Sequence, residues 1–304
     1  MMLLVYIQAL FSYRNLVHAI AGGLGNAFAI SVCYPLECAR TRLQVDDKLK
    51  AKYSLGVIFD VFQEEGIVGV YRGLSSLALS LFSSSFVYFF IFHGLKTSLT
   101  LFNKEQQVTM DLIFGSLAGA AVVLVTNPLW VINTRLKLEG AKLRTSKYKE
   151  LKHPKYDGII DCLKKIILHE GLLQLWSGTL TSLMLISNPA IQFMMYELLK
   201  RFTQTILDTA VLNGTYYFLF GAFSKTIATF VTYPLQVVQT RIRAGYTGKS
   251  VISVKDISLS WQGFSSLYRG LESKLSQTVL TAALTLLTYE KITLFVFSLM
   301  GLQQ

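Results

Sequence analysis

Pro35-Leu36-Glu37-Cys38-Ala39-Arg40-Thr41-Arg42 returns as Pro128-Leu129-Trp130-Val131-Ile132-Asn133-Thr134-Arg135. It returns again as Pro234-Leu235-Gln236-Val237-Val238-Gln239-Thr240-Arg241. Each copy is Pro-Leu, a gap, then Thr-Arg. A second phrase follows each copy: Glu65-Gly66 before Tyr71-Arg72-Gly73, Glu170-Gly171 before Trp176-Ser177-Gly178, and Gln262-Gly263 before Tyr268-Arg269-Gly270. A glycine (Gly22, Gly115 or Gly221) stands ahead of each proline at one fixed spacing. Markers that recur in one order at long spacing mean one structural unit used three times. The units are expected over 12–100, 108–205 and 212–300, as one integrated transmembrane domain.

The composition says where those units live. The chain is 52% hydrophobic and 15% charged, with mean hydropathy +0.45. A soluble domain carries about a quarter charged residues. A membrane helix needs about 20 apolar residues, and six candidates are present, two per unit: 15–38, 74–95, 110–134, 179–199, 213–240 and 273–299. The fold class is therefore an all-α membrane protein of six transmembrane helices in three repeats. Each proline phrase closes the first helix of its unit. Pro35, Pro128 and Pro234 are expected to kink those helices where neighbours or water satisfy the freed carbonyls.

The net charge of +11 gathers in the segments between paired helices, 42–73, 135–178 and 241–270. There Tyr156–Ile167 has apolar residues at helical spacing and suits a short amphipathic helix on the membrane surface. The stretch 53–62 fits that pattern less cleanly, and the third segment is short enough for a reduced helix. Arg72 and Arg269 are candidate contacts for anionic lipid; the alternative is that water solvates them. No aromatic-basic module for nucleic acid is present. The three cysteines and four histidines lack metal or nucleophile–base spacing, so neither an enzyme nor a metal site is expected.

A helix turns 100° per residue. Asn26 and Glu37 therefore share a face with Arg40 in the first unit, Trp130 with Asn133 in the second, and Lys225 and Gln236 with Gln239 in the third. Polar members mark that face as lining a cavity. Lys225 is the most informative, because an ionisable group at mid-helix in a membrane span is a functional-site hypothesis by default. A phosphate contact is the sharper reading; snorkelling to an interface is the alternative.

These phrases resemble the signature of the mitochondrial carrier family, Pro-x-acid-x-x-base-x-base followed by acid-Gly and aromatic-base-Gly, three times over. The resemblance covers 14–300. It implies a pseudo-threefold barrel of six helices around a water-filled cavity, and transport by alternating access. The stretches Pro128–Lys142, Asn188–Met194, Thr232–Gln236 and Gln277–Ala283 resemble the peroxisomal branch of that family. That likeness implies exchange of CoA, FAD, NAD or AMP, ADP and ATP across a peroxisomal membrane. A mitochondrial inner-membrane carrier of folate, FAD, NAD or pyrimidine nucleotides is the alternative. The nucleotides are substrates, no resident cofactor is implied, and the carrier is read as monomeric in the lipid bilayer.

The resemblance also assigns roles. Glu37, Arg40, Trp130, Asn133, Gln236 and Gln239 occupy the ring that closes the inner end of the cavity. That ring departs from the family pattern, since only Glu37 and Arg40 are charged; Glu37 would face Asn133, and Arg40 would face Gln236. At the outer end Lys96 would pair with Glu197, and Lys200 with Glu290. Ser84, Asn188, Gln192 and Gln277 take substrate-contact positions, or bridge helices instead.

Overall fold

The computed structural model describes residues 13–45, 53–99, 107–139, 156–208, 213–245 and 266–299. Among them there are helices and turns and no strand. The chain forms α1 (Tyr13–Val45), α2 (Ser54–Tyr71), α3 (Leu74–Leu99), α4 (Gln107–Leu138) and α5 (Ile159–Glu170). A 3-10 turn (Leu172–Trp176) leads to α6 (Thr179–Met184), α7 (Ser187–Leu207), α8 (Gly214–Arg243) and α9 (Leu271–Leu299). Residues 246–265 of the third inter-helix segment, with Gln262-Gly263 among them, and the lysine-rich stretch 142–155 lie outside the described residues. So does the side chain of Lys96.

The prolines do not end their helices. Pro35, Pro128 and Pro234 sit inside α1, α4 and α8, which run on to Val45, Leu138 and Arg243. A proline inside a helix leaves the carbonyl four residues earlier without its donor. For Pro128 that carbonyl is Leu124, and Trp176 Nε1 donates to it at 2.8 Å. The aromatic of the second phrase thus repairs the defect made by the first. Related packing recurs in the other repeats: Tyr71 stacks on Tyr34 with ring centroids 6.0 Å apart, and Tyr268 stacks on Tyr233 at 6.2 Å. We expect Trp176→Phe to keep the ring but strip the cap, lowering stability by about 1 kcal/mol. A fall of the melting midpoint in detergent would register it.

The chain divides into two compact units, one of Met1–Arg40, Tyr53–Tyr71 and Glu272–Gln304, the other of Thr41–Lys52 and Arg72–Leu271. In the first, α9 meets α1 closely. A Cβ on Gly25 would lie 3.1 Å from the Thr285 carbonyl oxygen, so only a small residue permits the approach. Ser273 Oγ donates to the Leu36 carbonyl at 2.7 Å. The surface stretch 53–62 is helical, and α2 breaks at Gly66, whose φ of 69° belongs to the left-handed region that glycine enters readily.

In the second unit α3 packs on α4 and α7 on α8. The short helix α5 turns Ile159, Cys162, Leu163 and Ile166 toward Val131, Ile132, Leu136, Tyr156 and Leu175. That inward spacing of three and four residues is the amphipathic pattern read from the sequence. Burial pushes the Cys162 thiol up to about 12, which holds it as the neutral, unreactive form at neutral pH. Maleimide at pH 7.5 should leave Cys162 unmodified in the folded carrier and label it after denaturation, as read by mass spectrometry.

By length and composition, Ser54–Leu95, Ile113–Leu138 and Leu271–Val296 are apolar enough to cross a membrane. Helices α1, α7 and α8 are 33, 21 and 30 residues long, also sufficient to span, but they carry more polar side chains. Exposed apolar rows such as Phe82, Phe86, Phe89 and Phe90 on α3, or Phe218, Phe223 and Phe230 on α8, suit contact with lipid tails.

Candidate functional site

The last turn of a helix leaves carbonyls without intrahelical donors. Here arginines of the repeated phrase reach the last turns of other repeats. Arg135 Nε donates to the Arg243 carbonyl at 2.9 Å, and Arg241 Nε donates to the Gln44 carbonyl at 2.8 Å. Cations at helix C-termini are also favoured by the helix dipole. Side chains extend the same pattern. Gln44 Nε2 donates to Tyr233 Oη at 3.2 Å and accepts from Thr240 Oγ1 at 2.8 Å, while Tyr233 donates to the Arg269 carbonyl at 2.8 Å. Arg243 donates to Asn127 Oδ1 at 2.9 Å and to Ser182 Oγ at 3.0 Å. The loop-side ends of α1, α4 and α8 are therefore latched together. Their latch is largely uncharged on the accepting side, apart from Arg135 on Glu170 at 2.6 Å.

Gln239, Asn133 and Trp130, three of the predicted gate residues, lie in the same unit as this latch. Gln239 Nε2 donates to Ser182 Oγ at 2.7 Å. Asn133 donates to the Gly73 carbonyl at 3.0 Å and to Ser76 Oγ at 2.7 Å. Gly73 and Gly178 open second helices with φ of 87° and 76°, a left-handed conformation that glycine enters readily. Trp130 Nε1 donates to Ser84 Oγ at 3.2 Å, and the Arg243 guanidinium lies 5.8 Å from the Trp130 ring centroid, within cation–π range.

Further along α8 is a polar cluster. Lys225 Nζ donates to Asn188 Oδ1 at 3.4 Å. Asn188 Nδ2 donates to Thr232 Oγ1 at 2.7 Å and to the Ala228 carbonyl at 3.2 Å. Gln236 Nε2 donates to Thr232 Oγ1 at 3.3 Å. Asn188 is placed there by a break in what the sequence suggests is one helix over 179–199. Pro189 cannot donate to the Leu185 carbonyl, so the Asn188 amide takes it at 3.0 Å and Ser187 Oγ donates to the Met184 carbonyl at 2.7 Å. The interruption at 185–186 turns Asn188 onto α8.

In the other unit, Glu37 accepts from Arg40 Nη2 at 3.2 Å and from Gln277 Nε2 at 2.7 Å. Gln277, expected beside substrate, is tied to the Glu37 carboxylate. Asn26 is exposed and Gln192 half-buried. Glu197 meets Lys200 at 3.5 Å and Arg201 at 3.7 Å on its own helix, and Glu290 is exposed. Arg72 Nη1 donates to the Glu139 carbonyl at 2.6 Å, at the end of α4. Among the described residues no cluster of metal-ligating side chains occurs.

Sequence reading missed Gln44, Asn127, Ser182, Thr232 and Arg243. A signal for some of them was present. Tyr34, Asn127 and Tyr233 each directly precede a repeated proline, and Gln44, Lys137 and Arg243 stand at one register after it.

Known proteins bear on this arrangement. The family described as "Mitochondrial carrier protein" matches three times, at residues 12–103, 104–207 and 211–298. The chain is 45% identical to the mouse peroxisomal membrane protein PMP34 over 96% of its own length and 97% of that protein. It is 31% identical to the Arabidopsis thaliana chloroplastic nicotinamide adenine dinucleotide transporter 1, over 92% of each chain. It is 30% identical to that plant's peroxisomal nicotinamide adenine dinucleotide carrier, over 91% of this chain and 95% of the other. Three family repeats, each with long helices and the proline phrase, make this chain a multi-pass membrane carrier of the mitochondrial carrier family, with its tripartite six-helix fold.

Proposed function

We propose that this carrier exchanges nucleotide-type cofactors (CoA, FAD, NAD and AMP, ADP or ATP) across the peroxisomal membrane, with Lys225 and Asn188 at its substrate site. The observation that carries the reading is Lys225. It is half-buried in the middle of a long helix, and its described partner is the neutral Asn188. A membrane-depth ammonium held only by an amide is placed to receive an anion, and phosphate suits a point charge. Asn188 and Gln236 offer amides for a base edge or a pantetheine-like chain. The printed names of the relatives, peroxisomal and dinucleotide-carrying, support the compartment and the substrate class.

Alternating access needs two closed states of similar free energy that substrate helps interconvert. A loop-side latch built mainly of neutral acceptors is weaker than a ring of ion pairs, since charged hydrogen bonds are about twice as strong as neutral ones. In this reading the protein works as a monomer in the bilayer, with no resident cofactor and no catalytic chemistry. The test is reconstitution into liposomes loaded with AMP, followed by uptake of labelled CoA, FAD, NAD, AMP and folate. Exchange of the nucleotides is the expected result. Uptake of keto acids or amino acids in their place would sink the reading.

A further inference from the structure

Building on the nucleotide reading above, we infer that Arg243 is a second phosphate-contacting residue, met by substrate at the loop side of the path before Lys225. Arg243 lies eighteen residues after Lys225 on the same helix. Eighteen residues are five full turns, so the two side chains leave α8 at the same azimuth, roughly 27 Å apart along the axis. Thr232 and Gln236 fall within about 20° of that line, and Thr229 and Gln239 within about 40°. One stripe of α8 therefore begins at one cation, runs through hydroxyls and amides, and ends at another cation.

Among the described residues no carboxylate neutralises the second cation. Its described partners are Asn127 Oδ1, Ser182 Oγ and the Trp130 ring, all uncharged. Its Nε is buried with no hydrogen-bond partner among the described residues. A half-buried guanidinium with a buried Nε and no carboxylate among its described partners carries a desolvation penalty that neutral acceptors only partly offset. Its rigid fork matches a phosphate better than it matches an amide and a hydroxyl on separate helices. In this family's signature the Trp130 position carries an acid. Its replacement by an aromatic ring keeps the guanidinium packed and leaves its charge available. When the loop-side ends part, a phosphate can take the place of Asn127 and Ser182. That exchange gives substrate a higher affinity for the opening state than for the closed one, the condition for substrate-driven switching.

The experiment is AMP uptake into AMP-loaded liposomes by the whole carrier. Arg243→Gln should raise the KM for AMP at least tenfold, with maximal rate within about threefold of the parent. Arg243→Lys, which keeps the charge, should stay within about threefold in KM. Asn127→Ala, which removes an acceptor that phosphate must displace from Arg243, should not raise KM. Where Arg243→Gln does not accumulate, Trp130→Glu supplies the missing acid beside the guanidinium and should raise KM likewise. An unchanged KM in Arg243→Gln, or in Trp130→Glu where that variant stands in, overturns the inference. So does an equal KM rise in Arg243→Gln and Asn127→Ala, which would make Arg243 a strut of the latch alone. A parent protein that exchanges no nucleotide defeats the functional reading itself, and this inference with it.

Discussion

Lys225→Ala should depress nucleotide exchange by roughly 10- to 100-fold while leaving the protein as stable as before, or more so. The magnitude follows from a hydrogen bond to a charged group, about 1.5–3 kcal/mol, at about 1.4 kcal/mol per tenfold in affinity. The sign of the stability change follows from burial. The ammonium is half-buried, and its only described contact is a 3.4 Å bond to Asn188, so removing it relieves desolvation and deletes little packing. Asn188 keeps its bonds to Thr232 and Ala228 and should hold its place. Lys225→Arg should retain most exchange, because the charge persists. A melting midpoint that falls in parallel with activity would make Lys225 a structural residue, and unchanged exchange kinetics would remove it from the path.

The tripartite architecture was legible because it is written three times. A proline, a Thr-Arg and a glycine at fixed separations state that one unit recurs, and hydropathy states how much of each unit spans a membrane. Lys225 was legible for a related reason, since a cation amid apolar neighbours violates the local pattern. The latch was less readable. Its key acceptors are backbone carbonyls of Gln44 and Arg243, and a carbonyl has no letter in a sequence. Arg135 and Arg241 could be counted as bases of the phrase, but the choice between a carboxylate and a helix end as partner is made by tertiary approach. Pro128 likewise predicted a defect, and its repair by Trp176 depended on the 3-10 turn packing against α4. The break before Asn188 lay in plain sight as Asn-Pro. Its consequence, an amide aimed at Thr232, depended on α7 packing against α8.

Arg135→Gln should cause the largest loss of stability among the substitutions considered, about 3 kcal/mol, with a melting midpoint lower by several degrees. The side chain is 1% exposed. Its Nε holds the last turn of α8, and its Nη2 meets Glu170 at 2.6 Å. The fit is tight enough that a Cβ on Gly245, at φ 101°, would come within 2.5 Å of the Arg135 head group. A glutamine is too short to reach both partners. Glu170→Gln tests which partner matters. That carboxylate is 30% exposed, so water replaces part of what it loses, and about 1 kcal/mol is expected. The α8 carbonyl has no such recourse once its donor is gone, and the desolvation of an orphaned acceptor costs about 1–3 kcal/mol. The two variants should therefore rank Arg135→Gln well above Glu170→Gln in destabilisation, and only the former should also speed passive efflux from loaded liposomes, because only it removes a bond between α4 and α8. Equal effects would mean that the ion pair, rather than the arginine-to-carbonyl latch, holds the loop-side ends closed.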